Sequence, residues 1–253
     1  MRFALLGSGS RGNATLVQAG VTCIMVDCGF SITEAESRLA RFAVACTDLS
    51  AILVTHEHAD HVSGVARFAA RHRIPVWCTA GTLAACERVN LRVAECFDAH
   101  ADFAIGDFNV SPLTVPHDAR EPTQFIFSDG DHRLGMLTDT GSITPHIQRS
   151  LDGCDGLILE CNHDHDMLEN GPYPASLKTR VGGPLGHLSN AQAAALLAGL
   201  DRSHLQHLVA AHLSAKNNTP ALARSALAEA AGCDSSWIQV ASQEQGLEWR
   251  ELC

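Results

Sequence analysis

The stretch that decides the fold reads Thr55-His56-Glu57-His58-Ala59-Asp60-His61. Residues 51–54, Ala-Ile-Leu-Val, come directly before it and predict a buried strand. The polar cluster therefore begins where a strand ends and a helix begins, a common location for functional residues. Imidazole and carboxylate groups together suit zinc, manganese or iron. The stretch predicts a metal site, and the alternative interpretation is a solvated turn that happens to be rich in histidine.

Three more residues with metal-ligating side chains follow predicted strands further along the chain. These are His117 after residues 110–115, Asp139 after residues 134–138, and His212 after residues 208–211. Each lies at the carboxyl end of an apolar run, as the first cluster does. The chain therefore offers ligands beyond the opening stretch, which favours a metal site over a solvated turn.

The length of 253 residues is compatible with one large layered domain or with two small ones. Hydrophobic residues make up 46% and charged residues 18%, which is typical of a folded globular protein. No linker rich in proline, glycine or serine divides the chain. We therefore predict one domain over residues 1–253.

Short strands alternate with helices in the predicted secondary structure. Strands are predicted at 22–27, 51–55, 74–78, 108–115, 123–127, 133–138, 156–161, 207–211, 237–241 and 246–250. Helices are predicted near 33–43, where Ser31 and Glu34 suggest a capping box, near 63–72, from Ser189 with Gln192 to Leu200, and from Thr219-Pro220 to Gly232. This order favours two packed sheets with helices outside them.

Charge, apolar runs and cysteines limit the functional classes. The formal net charge of −10 argues against a broad basic surface for nucleic acid, although two divalent ions would still attract an anion locally. The longest apolar stretch, residues 191–200, is about half of the roughly 20 residues that span a bilayer. Ten scattered cysteines without a CxxC pair suggest reduced thiols. We therefore expect a cytoplasmic protein with no membrane partner.

The pattern His56-x-His58-x-Asp60-His61, followed by His117, Asp139 and His212, resembles the ligand set of the metallo-β-lactamase superfamily. The resemblance implies the α/β class and a four-layer αββα sandwich. It also implies two divalent metal ions, with zinc, manganese or iron as candidates. The implied ligands are His56, His58 and His117 for the first ion, Asp60, His61 and His212 for the second, and Asp139 as a bridge between them.

Several further segments narrow this resemblance to the bacterial WalJ/YycJ-type subfamily. They are residues 7–13, 27–29, 138–141, 160–164, 186–190 and 212–218. The subfamily implies phosphodiesterase activity, and for some members DNA exonuclease activity. One departure is Cys161, which stands where alanine is expected.

Asp60 and His187 are the predicted catalytic residues. Two ions would share and activate a hydroxide that attacks the phosphorus, and Asp60 would orient this oxygen as well as bind the second ion. His187, in Gly186-His187-Leu188-Ser189, resembles the catalytic histidine of the phosphodiesterase branch and would protonate the leaving group. Two alternatives remain open: His187 is structural, or His187 is a metal ligand and His212 is the donor.

Other polar residues near predicted strand ends are candidates for contacts with the substrate. The predicted substrate-binding residues are Ser8, Ser10, Asn13, Asn162, His163, Ser214, Asn217 and Asn218. Structural turns and helix caps are the alternative for this set. Asp27 and Asp118 are expected to support the metal ligands. Possible backbone-phosphate contacts are Arg120, Lys178, Arg180 and Lys216, for which solvated surface charge is the alternative.

The sequence thus predicts a two-metal hydrolase, most simply a phosphodiesterase or nuclease that acts on DNA or RNA ends or on small phosphodiesters. A thioester or lactone hydrolase with the same site is one alternative, because the site would activate water for either reaction. A metal-binding regulatory module without turnover is another. The oligomeric state is not predicted.

Overall fold

The structure is a computed structural model that describes residues 1–86, 91 and 94–253. Its first sheet is ordered β14-β1-β2-β3-β4-β5-β6. These strands are β1 (Arg2–Gly7), β2 (Ala14–Ala19), β3 (Thr22–Val26), β4 (Ala51–Leu53), β5 (Val76–Cys78), β6 (Ala94–Cys96) and β14 (Leu247–Glu251). Strands β3 to β6 run parallel to one another, and β1 pairs antiparallel with β2 and β14.

The second sheet is ordered β13-β12-β11-β10-β9-β8-β7. Its strands are β7 (Phe103–Ile105), β8 (Phe108–Thr114), β9 (Thr123–Ser128), β10 (Arg133–Leu137), β11 (Gly156–Glu160), β12 (His207–Ala211) and β13 (Gln239–Val240). Strands β10 to β13 are parallel, whereas β9 is antiparallel to both β8 and β10. Strands β8, β10, β11 and β12 therefore end at the same edge of this sheet.

Helices follow many of the strands, and the longer ones cover the outer faces of both sheets. They are α1 (Ile32–Arg41), α2 (Ala59–Val62), α3 (Val65–His72), α4 (Ala80–Ala85), α5 (Pro145–Leu151), α6 (His165–Asn170), α7 (Ala175–Val181), α8 (Asn190–Ala198) and α9 (Pro220–Ala231). Helices α1 and α3 pack on the first sheet through Leu39 and Phe68. Helices α5, α8 and α9 pack on the second sheet through Ile147, Leu196 and Leu227.

The core between the sheets is apolar and continuous. Phe3 and Ile24 of the first sheet belong to the same buried cluster as Phe108, Phe127 and Val209 of the second. Burial of such side chains contributes about 1.5–3 kcal/mol each. The layers are thus helix, sheet, sheet and helix, and the predicted αββα sandwich is confirmed.

Capping residues account for the best-predicted helices. Ser189 and Gln192 form a reciprocal capping box at α8. Thr219 caps α9 before Pro220, and Gly232 ends that helix in the left-handed conformation with φ of 68°. The helix predicted near 63–72 corresponds to α3, and the short helix α2 before it was not predicted. No helix in the described part of the chain is both long and apolar enough to cross a membrane.

Candidate metal centre and cleft

The predicted metal ligands converge from strand ends on both sheets. His56 follows β4 of the first sheet, whereas Asp139 follows β10 and His212 follows β12 of the second. Asp139 and His212 have φ of 52° and 54°, in the left-handed region that costs a non-glycine residue about 1 kcal/mol or more. Such backbone strain is typical of functional sites, because it lets a side chain point in a direction that an ordinary backbone conformation would not allow.

His56, His58 and His117 form the first triad. One nitrogen from each ring lies within 4.8 Å of the others. Nδ1 of His58 is 3.2 Å from Nε2 of His117. Nε2 of His58 faces away and lies 3.2 Å from the carbonyl oxygen of Asp118. Asp118 thus fixes the ring that presents Nδ1 to the triad, as expected for a residue that supports a ligand.

Asp60, His61 and His212 form the second triad, whose ligand atoms also lie within 4.8 Å of one another. Oδ2 of Asp60 is 3.4 Å from Nε2 of His61 and 3.5 Å from Nε2 of His212. Both rings are buried, while the Asp60 side chain keeps 24% of its surface exposed. Asp60 is therefore the member of this triad that solvent or substrate reaches.

Asp139 lies between the two triads. Its Oδ2 is 3.3 Å from Nε2 of His61, and its Oδ1 is 3.6 Å from Nε2 of His212. On the other side, Oδ1 is 4.0 Å from Nε2 of His117. One carboxylate therefore lies near both triads, which is consistent with the bridging role that the resemblance implies.

The donors of this centre fit divalent cations. Nε2 of His56, Nε2 of His212 and Oδ2 of Asp139 are buried without a hydrogen-bond partner in the described structure. Such groups are costly unless a ligand satisfies them. Imidazole and carboxylate donors suit zinc, manganese and iron. The centre is thus a buried cluster of histidine and aspartate that is able to hold metal.

The carboxylates and the histidine rings of the cluster stabilise each other's charged forms. Burial alone lowers the pKa of His212, but the carboxylates of Asp139, Asp60 and Glu160 together raise it to about 10. Burial alone raises the pKa of Asp139, yet the charges of His212 and His61 hold it well below the ordinary value. The carboxylates therefore remain ionised, as metal ligation requires.

Asp27 and Thr55 support the first stretch of ligands from behind. Oδ2 of Asp27 accepts hydrogen bonds from Nδ1 of His61 at 2.8 Å and from the Thr55 hydroxyl at 2.8 Å. The Thr55 hydroxyl also lies 2.9 Å from Nδ1 of His56. These contacts leave Nε2 of both rings for the centre, which fits the support role expected of Asp27. No pattern in the sequence indicates the role of Thr55.

Glu160 is a site residue for which the sequence predicted no role. Its fully buried carboxylate accepts a hydrogen bond from Nδ1 of His187 at 2.8 Å and lies 3.2 Å from Nδ1 of His212. It also accepts hydrogen bonds from the backbone N–H groups of Leu188 and Thr140. Burial lowers the pKa of His187, but the charge of Glu160, the hydrogen bond to Glu160 and the charge of Asp139 together raise it overall. Its position in the sequence could have indicated a role, because Glu160 ends β11, which lies between the two strands that precede Asp139 and His212.

Most predicted substrate-binding residues lie behind the cluster. The Ser8 hydroxyl accepts the backbone N–H of His212 at 2.8 Å. Asn13 donates to the Asp60 carboxylate at 3.2 Å, and Asn162 donates to the His212 carbonyl at 3.0 Å. These three side chains are buried, so their bonds favour a role in holding the ligand loops. Ser10 differs, because it is exposed and lines the cleft.

The remaining members of that set stabilise the loop after β12 and its surroundings. The Ser214 hydroxyl accepts the backbone N–H of Asn217 at 3.2 Å, and the Asn218 amide donates to the Cys161 carbonyl at 2.7 Å. The Asn217 amide is fully buried without a hydrogen-bond partner among the described residues. His163 is buried beside a second cavity, behind α7. Substrate contacts by these residues stay a prediction.

A cleft of about 340 Å³ opens onto the cluster. It is lined by Asp60, His187 and the exposed Ser10, and also by Tyr173 and residues of α7. Its lining residues are Ser10, His58, Ala59, Asp60, Asp118, Asp139, Tyr173, Leu177, Arg180, Val181, Gly186, His187 and His212. Of the cations predicted to contact phosphate, only Arg180 lines this cleft among the described residues.

The chain is similar to known proteins in sequence and in fold. Residues 22–212 match the family model described as a beta-lactamase superfamily domain. The chain is 33% identical to Exodeoxyribonuclease YycJ of Bacillus anthracis, over 90% of this chain and 88% of the relative. It is 32% identical to Exodeoxyribonuclease WalJ of Streptococcus pneumoniae, over 88% and 85% respectively.

A solved structure extends the match in fold to nearly the whole chain. The metallo-beta-lactamase fold protein YhfI from Bacillus subtilis superposes with a TM-score of 0.77 and covers 98% of both chains at 17% identity. That identity supports the fold alone. Together with the sequence matches, it confirms the predicted resemblance and a hydrolase of this class. The chain belongs to the metallo-β-lactamase superfamily and, within it, to the family of the YycJ and WalJ proteins.

Proposed function

We propose that the protein is a two-metal phosphodiesterase that acts on the ends of DNA or RNA or on small phosphodiesters. The observation that carries this proposal is the convergence of two ligand triads and Asp139 at one cleft, with His187 beside them. The names of the relatives, which are exodeoxyribonucleases, support a nucleic-acid substrate for this chain.

The first triad would hold one divalent ion and the second triad another, with Asp139 shared between them. Zinc, manganese and iron all suit these donors. When bound, such ions supply Lewis-acid charge for a phosphoryl group and make water a better nucleophile at neutral pH.

Asp60 is placed to orient the attacking water. Its carboxylate is partly exposed in the cleft, so one oxygen is able to accept a hydrogen bond from water while the other faces the second triad. The Asn13 amide holds this carboxylate at 3.2 Å. Replacement of Asp60 should therefore lower both metal affinity and turnover.

His187 is placed to protonate the leaving alkoxide. Its Nδ1 bonds to Glu160, so Nε2 is the nitrogen available to substrate. The raised pKa of His187 favours the protonated ring, the form that a proton donor requires. The rival donor, His212, has a side chain only 3% exposed, against 20% for His187. Nε2 of His212 faces Asp60 and His61 of the second triad. This favours metal ligation by His212 and proton donation by His187.

The test is metal-dependent hydrolysis of bis(p-nitrophenyl) phosphate and of single-stranded and duplex DNA labelled at the 5′ or the 3′ end. Wild type, Asp60→Ala and His187→Ala are compared in zinc and in manganese. We expect turnover by wild type, its loss in Asp60→Ala, and a polarity read from the labels. Protein that contains both ions and hydrolyses no phosphodiester would contradict the proposal.

The role of His187 is tested through the leaving group. His187→Ala should lose about 10²- to 10⁴-fold in kcat on DNA, where an alkoxide must be protonated. It should lose little on bis(p-nitrophenyl) phosphate, because nitrophenolate leaves without a proton. His146→Ala removes an exposed histidine on α5 and is the matched control. Equal losses on both substrates would show that His187 is not the proton donor.

A further inference from the structure

Tyr173 is an aromatic side chain that the metal centre does not use. It lies between α6 and α7, lines the cleft together with Leu177, and is half-buried. It is also the one tyrosine in the sequence. Its hydroxyl makes no hydrogen bond to any residue that the structure describes. The ring is therefore available at the wall that faces the reacting centre.

The wall that carries Tyr173 is held firmly against the site. Nε of Arg180, on α7, donates to the Asp118 carboxylate at 2.6 Å, and the carbonyl oxygen of Asp118 contacts His58 of the first triad. Gly186 packs so closely that an added Cβ would lie 2.2 Å from the Arg180 carbonyl oxygen. The distance between the aromatic wall and the metal centre is thus set by direct contacts.

One cation lies beside this ring. Nζ of Lys216 lies 5.9 Å from the centroid of Tyr173, within range of a cation–π contact. Lys216 is exposed and comes four residues after His212, so it lies on the loop that leaves the metal centre. Arg180 also lines the cleft, but it is paired with the Asp118 carboxylate. In a chain of net charge −10, Lys216 is therefore a local attraction for anions beside an aromatic face.

We propose that Tyr173 stacks on the terminal base of a single-stranded nucleic acid, while Lys216 binds a phosphate of the adjoining backbone. The inference rests on the proposed phosphodiesterase function and specifies its substrate. An aromatic platform beside a cation is a general means of binding single strands without sequence preference. This subsite is distinct from the ligand triads, because neither side chain contacts them.

The size of the cleft limits what enters it. About 340 Å³ is near the lower end of the roughly 300–1,000 Å³ typical of small-ligand sites. That volume accommodates about one nucleotide unit. Stacking on Tyr173 also requires a base that is not paired within a helix. We therefore expect release of single nucleotides from a free, unpaired end.

The test compares two single-stranded oligonucleotides that differ only in the terminal residue, which is either a normal nucleotide or an abasic analogue. Each is labelled at the end that wild type degrades. Wild type should prefer the normal end by about 5- to 100-fold in kcat/KM, the range of one base–aromatic stack. Tyr173→Ala should lose this preference: it should hydrolyse both oligonucleotides at the rate at which wild type hydrolyses the abasic one. Tyr173→Phe keeps the ring and should retain the preference.

Two further variants complete the design. Trp237→Ala removes a partly exposed aromatic ring that does not line the cleft, and it should retain the preference. Lys216→Gln should weaken binding of both substrates alike and reduce the slope of log affinity against log salt by about one.

The outcomes separate this inference from the function on which it rests. Wild type that degrades oligonucleotides with no preference for the terminal base would overturn the role of Tyr173 and leave the phosphodiesterase proposal intact. The same conclusion follows if Tyr173→Ala keeps the wild-type preference. Wild type that is loaded with metal and degrades neither oligonucleotide would overturn both proposals.

Discussion

At the scale of single residues, Glu160 connects the proposed proton donor to the metal centre. One buried carboxylate oxygen contacts Nδ1 of both His187 and His212. The other oxygen is fixed by two backbone N–H groups. Glu160 is therefore a positioning residue, which acts on the substrate only through the ring of His187.

Replacement of Glu160 by glutamine should change the pH dependence of turnover. A proton donor is active while protonated, so the rate falls as pH rises through the pKa of His187. The Glu160 charge raises that pKa, and Glu160→Gln should therefore move the falling limb to lower pH and lower kcat at neutral pH. The measurement is kcat/KM for DNA as a function of pH, in protein with wild-type metal content. An unchanged limb would contradict the role of Glu160.

The sequence allowed the ligand residues to be predicted, because His56, His58, Asp60 and His61 are dense and lie directly after an apolar strand. Glu160 and Tyr173 were not predicted to have roles. Glu160 is one acidic residue at a strand end, and its function depends on a ring that lies 27 positions away in the sequence. Tyr173 depends on the placement of α7 over the cleft, which no local pattern encodes.

At the scale of secondary-structure elements, close backbone packing sets the position of the Asp60 loop. The carbonyl oxygen of Asp60 accepts the backbone N–H of Asn13 at 2.8 Å. A Cβ on Gly29 would lie 1.9 Å from this same oxygen. The loops after β1 and β3 thus hold the first turn of α2, which carries Asp60 and His61.

Gly29→Ala should therefore displace Asp60 and weaken the metal centre. We expect metal affinity to fall about 10- to 100-fold, the range for loss of a supporting contact around metal ligands. The measurement is competition with a chromophoric chelator. Gly199→Ala is the control, since its φ is −90° and its Cβ would come closer than 3.5 Å only to the flexible end of the Gln148 side chain, away from the metal centre. Equal affinities for Gly29→Ala and wild type would refute this account of the loop.

Elements with strong end signals were predicted well, whereas the six-residue strands β1 and β2 and several shorter elements were not. Helices α8 and α9 begin at capping residues whose side chains bond as expected. Strands β6 and β7, with three residues each, and α2, with four, are too short for periodicity to indicate. Their conformation is set by the neighbours with which they pair or pack.

At the scale of the whole molecule, the ligands come from both sheets. His56, His58, Asp60 and His61 follow β4 of the first sheet, whereas His117, Asp139 and His212 follow strands of the second. Each triad contains residues from both sheets, and so each proposed ion would join the two halves of the sandwich. Metal binding should therefore contribute to global stability as well as to catalysis.

Removal of metal should lower the thermal stability of the whole protein. An ion present at 100 times its Kd stabilises the folded state by about 2.7 kcal/mol. For a protein of this size, Tm changes by about 2–4 °C for each kcal/mol of stability. We therefore expect Tm to fall by several degrees after dialysis against a chelator. Zinc or manganese should restore it. The Tm of His56→Ala should fall less after treatment with the chelator. An identical Tm for metal-free and metal-loaded wild type would contradict a stabilising role for the ions.

The central claim is that two ions in this cleft support hydrolysis of a phosphodiester. The most direct test is titration of metal-free protein with manganese or zinc while bound metal and release of nucleotides from labelled single-stranded DNA are followed together. Activity should be negligible without metal and should reach its maximum at two equivalents per chain. Full activity at one equivalent, or activity that persists in excess chelator, would contradict the two-metal account.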